Sequence, residues 1–302
     1  MNVNDIKKVL IIGSGTMGQQ IGLQCALNGY NVVLYDIKDE LLEKAMLRIQ
    51  KIARRLVRGN QLKEDDVPAV MARITATSSA EKAGSDADLV SESIPEDPDL
   101  KGKVFGQFNA ICPVHTIFTT NTSSLLPSQF AAATGRPERF AALHFHDAQM
   151  APVVDIMPHP GTAKEIVDLL YDFSLSIKQI PIVMHKENNG YVFNAMFMML
   201  LASALTLAAR DVASIEDIDR SFVGVMRSPL GPFALMDQIG IDTVYKITDY
   251  WANVTNNNQG KRNAAFLKGY VDQGHLGSKT GRGFYTYPDP AFLRPDFLMG
   301  QK

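Results

Sequence analysis

The amino-acid sequence predicts an α/β fold, in which an N-terminal Rossmann-type domain with a doubly wound, mostly parallel sheet precedes an all-α C-terminal domain. Short apolar runs typical of buried strands alternate with helical patterns through the first part of the chain. A glycine-rich turn follows the first apolar run, and long helical patterns without a convincing strand fill the last part. We therefore assign residues 1–187 to the sheet domain and residues 188–302 to the helical domain.

The N-terminal elements begin with one βαβ unit. An apolar run at 9–12 leads into glycine, a helical pattern covers 19–28, and a second apolar run at 31–35 ends at Asp36. Residues 39–58 carry apolar side chains on one face and basic side chains on another at helical spacing, which predicts an amphipathic helix. Further strand-like runs follow at 87–92, 116–120, 140–144, 153–157 and 180–184.

The C-terminal part shows only helical patterns. They cover 191–212, 215–225, 240–254 and 263–273, whereas Gly260 and Lys261 look like part of a loop. The apolar run at 195–209 falls short of the roughly 18 to 20 residues that a bilayer span needs. Because a helix that is apolar on every face must be covered on every face, this run predicts a buried helix and suits a subunit interface.

Composition and charge exclude several classes of protein. The 302 residues carry 30 Lys+Arg against 32 Asp+Glu, so the net charge of -2 gives no field that favours nucleic acid or an anionic membrane as a partner. The two cysteines, Cys25 and Cys112, form no CxxC pair, which argues against a disulfide framework and a metal site. The N-terminus lacks the apolar core and cleavage site of a secretory signal, so we expect a cytoplasmic protein.

A dinucleotide-binding motif occupies the first strand-to-helix turn. Gly13, Gly15 and Gly18 follow the G-x-G-x-x-G spacing, in which the glycines allow a tight turn, close approach of a pyrophosphate and close helix-to-strand packing. Thr16 and Met17 stand at the start of the following helix, whose positive dipole end faces the phosphates. Asp36, eighteen residues after Gly18, is placed to accept hydrogen bonds from the adenosine ribose. The motif therefore predicts NAD, favoured over NADP although Lys38 lies nearby.

A hydroxyl, an imidazole and a carboxylate indicate the chemistry beside that cofactor. His144 ends an apolar strand where a doubly wound sheet opens its binding crevice, and an imidazole can accept the hydroxyl proton of an alcohol near neutral pH. Asp155, on the next predicted strand, can hold the other ring nitrogen, while Ser123 can bond the reacting oxygen. A lone histidine at a strand end is more often structural. The combination instead predicts hydride transfer on a secondary alcohol.

Six ordered segments together resemble the L-3-hydroxyacyl-CoA dehydrogenase family. They span nearly the whole chain, and the sequence at 117–128 and 142–145 is most similar to the bacterial diketoreductase branch, which reduces β-keto and diketo esters. The segments lie at 13–36, 119–125, 143–145, 190–194, 229–233 and 281–285. The resemblance implies an NAD-dependent oxidoreductase of fatty acid metabolism and a homodimer joined through the helical domain.

The resemblance also implies roles for individual residues. His144 matches the catalytic acid/base, Asp155 the position of its carboxylate partner, and Ser123 the hydroxyl that binds the substrate oxygen. Asn194 matches an amide that assists from the first helix of the C-terminal domain. The remaining matches are cofactor-binding positions, namely Glu96, Lys101, Asn121 and Lys279. Ser123 also belongs to the cofactor-binding residues.

The chain departs from the family's sequence motif around His144. The family reads His-Phe-Phe-Asn-Pro with a glutamate twelve residues after the histidine, whereas here Asp155 follows His144 by only eleven. His146 introduces a second imidazole that could compete for the proton, and Asp147 and Ala148 replace the asparagine and proline. The strand-end register and the spacing to Ser123 favour His144.

We therefore expect interconversion of an L-3-hydroxyacyl-CoA and a 3-ketoacyl-CoA with NAD(H). One alternative is a reductase of small β-keto or diketo esters without a CoA requirement, and another is a non-catalytic NAD-binding relative. Five basic residues that form a stripe on the amphipathic helix bear on this choice, since they either form a solvated face or dock the phosphates of an acyl-CoA. These residues are Lys44, Arg48, Lys51, Arg55 and Arg58.

Overall fold

The structure is a computed structural model that describes residues 1–299 of the chain. It divides into two compact units, the first of which covers Met1–Val192, while the second begins at Phe193. The division at 187/188 stays a prediction for where the two folding domains separate.

The first unit alternates strands and helices. Its eight strands and six helices follow one another as β1 (Lys8–Ile12), α1 (Thr16–Leu27), β2 (Asn31–Tyr35), α2 (Asp39–Arg58), α3 (Val67–Ala72), β3 (Ile74–Thr77), α4 (Ala80–Gly84), β4 (Leu89–Glu92), α5 (Pro98–Ile111), β5 (Ile117–Thr120), β6 (Phe140–Asp147), β7 (Ala151–Pro158), α6 (Lys164–Ser176) and β8 (Ile180–Val183). The predicted helix at 39–58 is confirmed with the same bounds as α2.

All eight strands form one sheet in the order β3-β2-β1-β4-β5-β6-β7-β8. Neighbouring strands are parallel except β6 and β7, which pair as an antiparallel hairpin. The order runs outward from β1 in both directions, so the chain reverses between β1 and β4, where doubly wound folds bind their ligands. The predicted doubly wound, mostly parallel sheet is confirmed.

The sheet is covered on both faces, as alternation of side chains along β1 shows. Val9 and Ile11 join one buried cluster, which includes α1 and α2, and Leu10 and Ile12 join a second cluster on the opposite face with Phe105. Because successive side chains of a strand point to opposite faces, a strand buried on both faces must be continuously apolar. This requirement explains the uninterrupted Val-Leu-Ile-Ile run of β1.

One strand and one helix differ from the sequence expectation. Strand β3 was not predicted, because only Ile74 of its four residues is buried at this edge of the sheet. Residues Gly260 and Lys261, expected in a loop, lie inside a helix. The Asn257 side chain accepts the Gly260 N–H and starts that helix, and a Cβ at Gly260 would lie 2.9 Å from Ala252 Cβ. The glycine therefore serves close helix packing and not a loop.

The second unit is helical within the described residues. Its helices are α7 (Phe193–Ala209), α8 (Ile215–Met226), α9 (Pro232–Ile239), α10 (Ile241–Val254) and α11 (Asn258–Asp272). The predicted all-α C-terminal domain is confirmed. None of the described helices combines the length and the apolarity that crossing a membrane requires.

Two buried carboxylates fasten the segments around 229–233 and 281–285 to these helices. Asp219 of α8 accepts the N–H groups of Phe233 and Ala234 at 2.8 and 3.0 Å. Asp237 of α9 accepts the N–H groups of Phe284 and Tyr285, both at 2.9 Å, and the Tyr287 hydroxyl at 3.0 Å. These two family-like segments are thus held by hydrogen bonds within the second unit.

Replacing Asp237 by alanine should destabilise the second unit. The change removes the acceptor of three donors, of which the Tyr285 N–H is buried and the other two are partly buried. One buried unpaired donor costs about 1 to 3 kcal/mol, so we expect the free energy of unfolding to fall by about 2 kcal/mol. Denaturant unfolding followed by circular dichroism measures the effect. Asp289→Ala, at an exposed position, is the control. Equal stability of the two variants would contradict this role of Asp237.

Candidate active site

The three glycines of the motif have different surroundings in the structure. A Cβ at Gly13, where φ is +102°, would lie 2.6 Å from the Ser93 carbonyl oxygen, and a Cβ at Gly18 would lie 1.9 Å from the Gly13 carbonyl oxygen. A Cβ at Gly15 would meet no protein atom within 4 Å. Gly13 and Gly18 therefore permit close backbone packing, while Gly15 leaves open space in front of the turn.

That open space fits a pyrophosphate. Helix α1 begins at Thr16 directly after Gly15, and the first N–H groups of a helix have no intrahelical acceptor. These donors, with the positive end of the helix dipole, attract an anion without any basic side chain. Gly15, Thr16 and Met17 are thus the residues that would hold the phosphates of NAD.

Asp36 is fixed in position at the end of β2. One carboxylate oxygen, Oδ2, accepts the backbone N–H of Ser14 at 2.8 Å and its hydroxyl at 2.6 Å, and the other accepts the N–H of Ile37 at 2.8 Å. Each carboxylate oxygen can accept more than one hydrogen bond, so these contacts orient Asp36 without saturating it. The arrangement suits a ribose diol.

A cleft of about 720 Å³ joins these residues. Its walls include predicted cofactor residues from the glycine turn through Lys101 and Asn121, and apolar side chains of the kind that a flat aromatic base requires. The predicted members are Gly13, Gly15, Thr16, Met17, Asp36, Lys101 and Asn121, and the apolar ones include Ile37, Leu41, Leu100 and Val104.

A buried ion pair lies beside the cleft, and one of its members was not predicted. Lys101 Nζ lies 2.6 Å from Glu92 Oε1 and 3.4 Å from Glu96 Oε2. Burial raises the pKa of Glu92, and the Lys101 ammonium with the Thr120 hydroxyl only partly opposes that effect. Glu92 could have been found, because it is a carboxylate that ends an apolar strand.

Glu96 organises the loop that carries Ser123. Its carboxylate accepts hydrogen bonds from the Thr122 hydroxyl, from the Ser123 N–H at 3.1 Å and from the Ser124 hydroxyl at 2.8 Å. Burial favours the neutral acid, but these bonds and Lys101 outweigh it and lower the pKa of Glu96. The Ser123 hydroxyl itself has no partner in the described part of the chain, which leaves it available to a ligand.

The same loop is attached to the strand that carries His144. Asn121 Oδ1 accepts the N–H of Phe145, the residue after His144, at 2.8 Å. The predicted residues Asn121, Ser123 and Glu96 are therefore linked through hydrogen bonds to the end of β6. The Asn121 amide acts here on protein backbone, and its predicted role toward the cofactor stays a prediction.

His144 and Asp155 meet across the β6–β7 hairpin. They are direct partners in the antiparallel register, where opposed side chains share a face, and His144 Nδ1 lies 3.3 Å from Asp155 Oδ2. Both are buried. The aspartate reaches the ring despite its short side chain because the register places it directly opposite.

Asp155 is shared with the second imidazole. His146 Nε2 lies 3.0 Å from the same oxygen, since residues two apart on a strand point to one face. Burial tends to raise the pKa of Asp155, but hydrogen bonds from His144 and His146 prevail and lower it. One atom from each of the three residues lies within 4.8 Å of the others, and two imidazoles with a carboxylate are a donor set that could hold a metal ion.

Two predicted residues belong to the second unit. Asn194 lies in the first turn of α7, and Lys279 Nζ is 2.5 Å from Asp242 Oδ1 within that unit. Their predicted roles toward substrate and cofactor stay predictions.

Two family models cover most of the chain. Residues 8–188 match the model described as 3-hydroxyacyl-CoA dehydrogenase, NAD binding domain, and residues 190–287 match 3-hydroxyacyl-CoA dehydrogenase, C-terminal domain.

Individual relatives are similar over nearly their full length. The mitochondrial hydroxyacyl-coenzyme A dehydrogenase of Rattus norvegicus is 33% identical over 288 residues, which cover 93% of this chain and 91% of the relative. A solved structure described as "Substrate-directed dual catalysis of dicarbonyl compounds by diketoreductase" is 33% identical with a TM-score of 0.86, covering 93% of this chain and 99% of the other. The (S)-3-hydroxybutyryl-CoA dehydrogenase of Ralstonia eutropha is 31% identical with a TM-score of 0.86, covering 94% and 100%.

Proposed function

The chain belongs to the 3-hydroxyacyl-CoA dehydrogenase family, as the sequence resemblance predicts, and as an NAD-dependent oxidoreductase of this family we propose that it interconverts an L-3-hydroxyacyl-CoA and a 3-ketoacyl-CoA. The observation that carries this proposal is the buried contact of His144 Nδ1 with Asp155, in the unit that also contains the glycine turn and Asp36. Bound NAD supplies the hydride acceptor, and NADH the donor, at the nicotinamide ring.

His144 is the proton carrier of the proposed reaction. Because Asp155 accepts the hydrogen bond from Nδ1, Nε2 is the nitrogen left to exchange a proton with the substrate oxygen. Asp155 fixes the tautomer and stabilises the imidazolium that forms when the ring takes a proton.

Ser123 binds the oxygen that His144 protonates or deprotonates. Its hydroxyl has no competing partner in the described residues, and the bonds of Glu96 to the loop limit the movement of its backbone. Asn194 assists in this proposal on the resemblance alone.

Turnover measurements test the proposal. Purified protein with NADH and acetoacetyl-CoA should oxidise one NADH for each C3 ketone reduced to an alcohol, and L-3-hydroxybutyryl-CoA with NAD should run the reverse reaction. Absence of turnover in both directions, with NADH binding intact, would refute the proposed activity.

A reductase of dicarbonyl esters is the second candidate. It is favoured by the similarity to the structure described as a diketoreductase. It shares all the chemistry above and differs only in having no CoA requirement. Comparing kcat/KM for acetoacetyl-CoA with kcat/KM for ethyl acetoacetate separates the two candidates.

The basic face of α2 gives a sharper test of CoA binding. The five residues of this basic stripe, Lys44, Arg48, Lys51, Arg55 and Arg58, are exposed. Reversing two charges, as in Arg48→Glu with Arg55→Glu, should raise KM for acetoacetyl-CoA about tenfold, equivalent to about 1.4 kcal/mol, and leave KM for ethyl acetoacetate unchanged. The charge-matched control is Lys7→Glu with Lys164→Glu, two exposed positions elsewhere. Equal effects on both substrates would refute phosphate docking on this face.

Assembly and location belong to the same proposal. The α7 side chains Met196 and Met199 are 63% and 68% exposed, which suits a covered face in a homodimer. Light scattering during size exclusion should give the mass of two chains. A cytoplasmic location also stays a prediction.

A further inference from the structure

Tyr191 lies against the proposed proton carrier and has an unpaired hydroxyl. Its ring centroid is 4.8 Å from that of His144, and the side chain is 1% exposed. The hydroxyl is buried without a hydrogen-bond partner in the described part of the chain. Buried tyrosine hydroxyls usually find a partner, and leaving one unpaired is destabilising.

This hydroxyl is a donor at neutral pH. Burial, and then the nearby carboxylates of Glu96 and Asp155, raise the pKa of Tyr191, so the phenol stays protonated. A phenol that keeps its proton and lacks an acceptor in the protein matches a ligand that brings an acceptor oxygen.

The backbone holds Tyr191 in a strained conformation. Its φ is +53°, in the left-handed region that a bulky residue rarely adopts. Asn188 maintains it, because its carbonyl oxygen accepts the Tyr191 N–H at 3.1 Å and its side-chain amide donates to the Tyr191 carbonyl at 3.0 Å. The ring then packs on Ala142 and Met157. Strain and an unpaired group together mark a position that a role in binding would explain.

We propose that the Tyr191 hydroxyl binds the second carbonyl oxygen of a 1,3-dicarbonyl substrate, the C1 oxygen of a 3-ketoacyl thioester or ester. This inference depends on the proposed function, in which His144 and Ser123 donate to the C3 oxygen. A carbonyl oxygen has two lone pairs, so these two donors saturate it. The next acceptor in such a substrate is the C1 oxygen, two carbons away.

Tyr191→Phe removes only the hydroxyl and provides the test. Butyryl-CoA carries the C1 carbonyl but no C3 oxygen, so it isolates the proposed contact. We expect its dissociation constant, measured by calorimetry on the NAD-loaded protein, to rise about tenfold, the upper end for loss of one neutral hydrogen bond. KM for the reducible substrate should rise in parallel with little change in kcat. Tyr171→Phe, at an exposed position of α6, is the matched control.

Each result decides the inference. The unfolding midpoint of Tyr191→Phe should stay the same or rise, because the variant removes an unpaired buried group. An unchanged dissociation constant for butyryl-CoA would overturn the proposal, and a fall in kcat alone would instead assign the hydroxyl to the C3 oxygen. If the wild type reduces neither acetoacetyl-CoA nor ethyl acetoacetate, the proposed function fails, and calorimetry still tests the Tyr191 contact separately.

Discussion

Replacing His144 by glutamine is expected to lower kcat about 1,000-fold, within the range of about 10² to 10⁴ that a positioned acid/base contributes. Glutamine can still form hydrogen bonds from a similar position, but it cannot carry a proton at neutral pH. The dinucleotide cleft does not include His144, so KM for NADH should stay within about twofold of the wild-type value. Steady-state rates of NADH oxidation measure both parameters.

His146 supplies the comparison that makes this test decisive. Both imidazoles bond to the same oxygen of Asp155, at 3.3 Å from His144 and 3.0 Å from His146. If His144 carries the proton, His146→Gln should lose less than about tenfold in kcat, since it removes a hydrogen bond to Asp155 but leaves the proton carrier in place. The exposed His115→Gln controls for histidine replacement in general. A large loss for His146→Gln with a small loss for His144→Gln would reverse the two roles.

The fold was predictable from the sequence because its signals are local. Continuous apolar runs mark strands buried on both faces, and the glycine turn between β1 and α1 marks the cofactor end of the sheet. Strand β3 lacked such a signal, because a partly exposed edge strand needs no apolar run. The loop prediction at Gly260 was wrong because this glycine allows two helices to approach closely. Its closeness to Ala252 depends on how those helices pack, which the sequence does not show.

The pairing of His144 with Asp155 could be predicted from the sequence, but the other connections around this pair could not. The spacing from His144 to Asp155 could not reveal that both histidines share one carboxylate oxygen, because this depends on the register of the hairpin. Tyr191 lies in a family-like segment, but nothing in the sequence indicated its contact with His144, since no sequence rule predicts a left-handed aromatic residue. Contacts that depend on strand register and on backbone conformation could therefore not be predicted from the sequence.

The glycine motif gives a second large effect, which separates cofactor binding from folding. Gly15→Ala should leave the unfolding midpoint of the cofactor-free protein unchanged, because the added Cβ would meet no protein atom within 4 Å. The same Cβ occupies the space that fits the pyrophosphate. Losing charge-assisted hydrogen bonds there should weaken NADH binding by about 2 to 3 kcal/mol, or about 30-fold to 150-fold, in a fluorescence titration.

Gly18→Ala should behave in the opposite way. Its Cβ would lie 1.9 Å from the Gly13 carbonyl oxygen and 3.1 Å from Ile11 Cγ2, so α1 must move away from β1. Overpacking of this kind typically costs about 1 to 3 kcal/mol, and we expect a lower unfolding midpoint together with weak NADH binding. Gly269→Ala, whose Cβ would also meet open space in α11, is the control for added helix propensity. If the unfolding midpoint of Gly15→Ala falls as far as that of Gly18→Ala, the space before Gly15 serves packing. The pyrophosphate site must then lie elsewhere in the cleft.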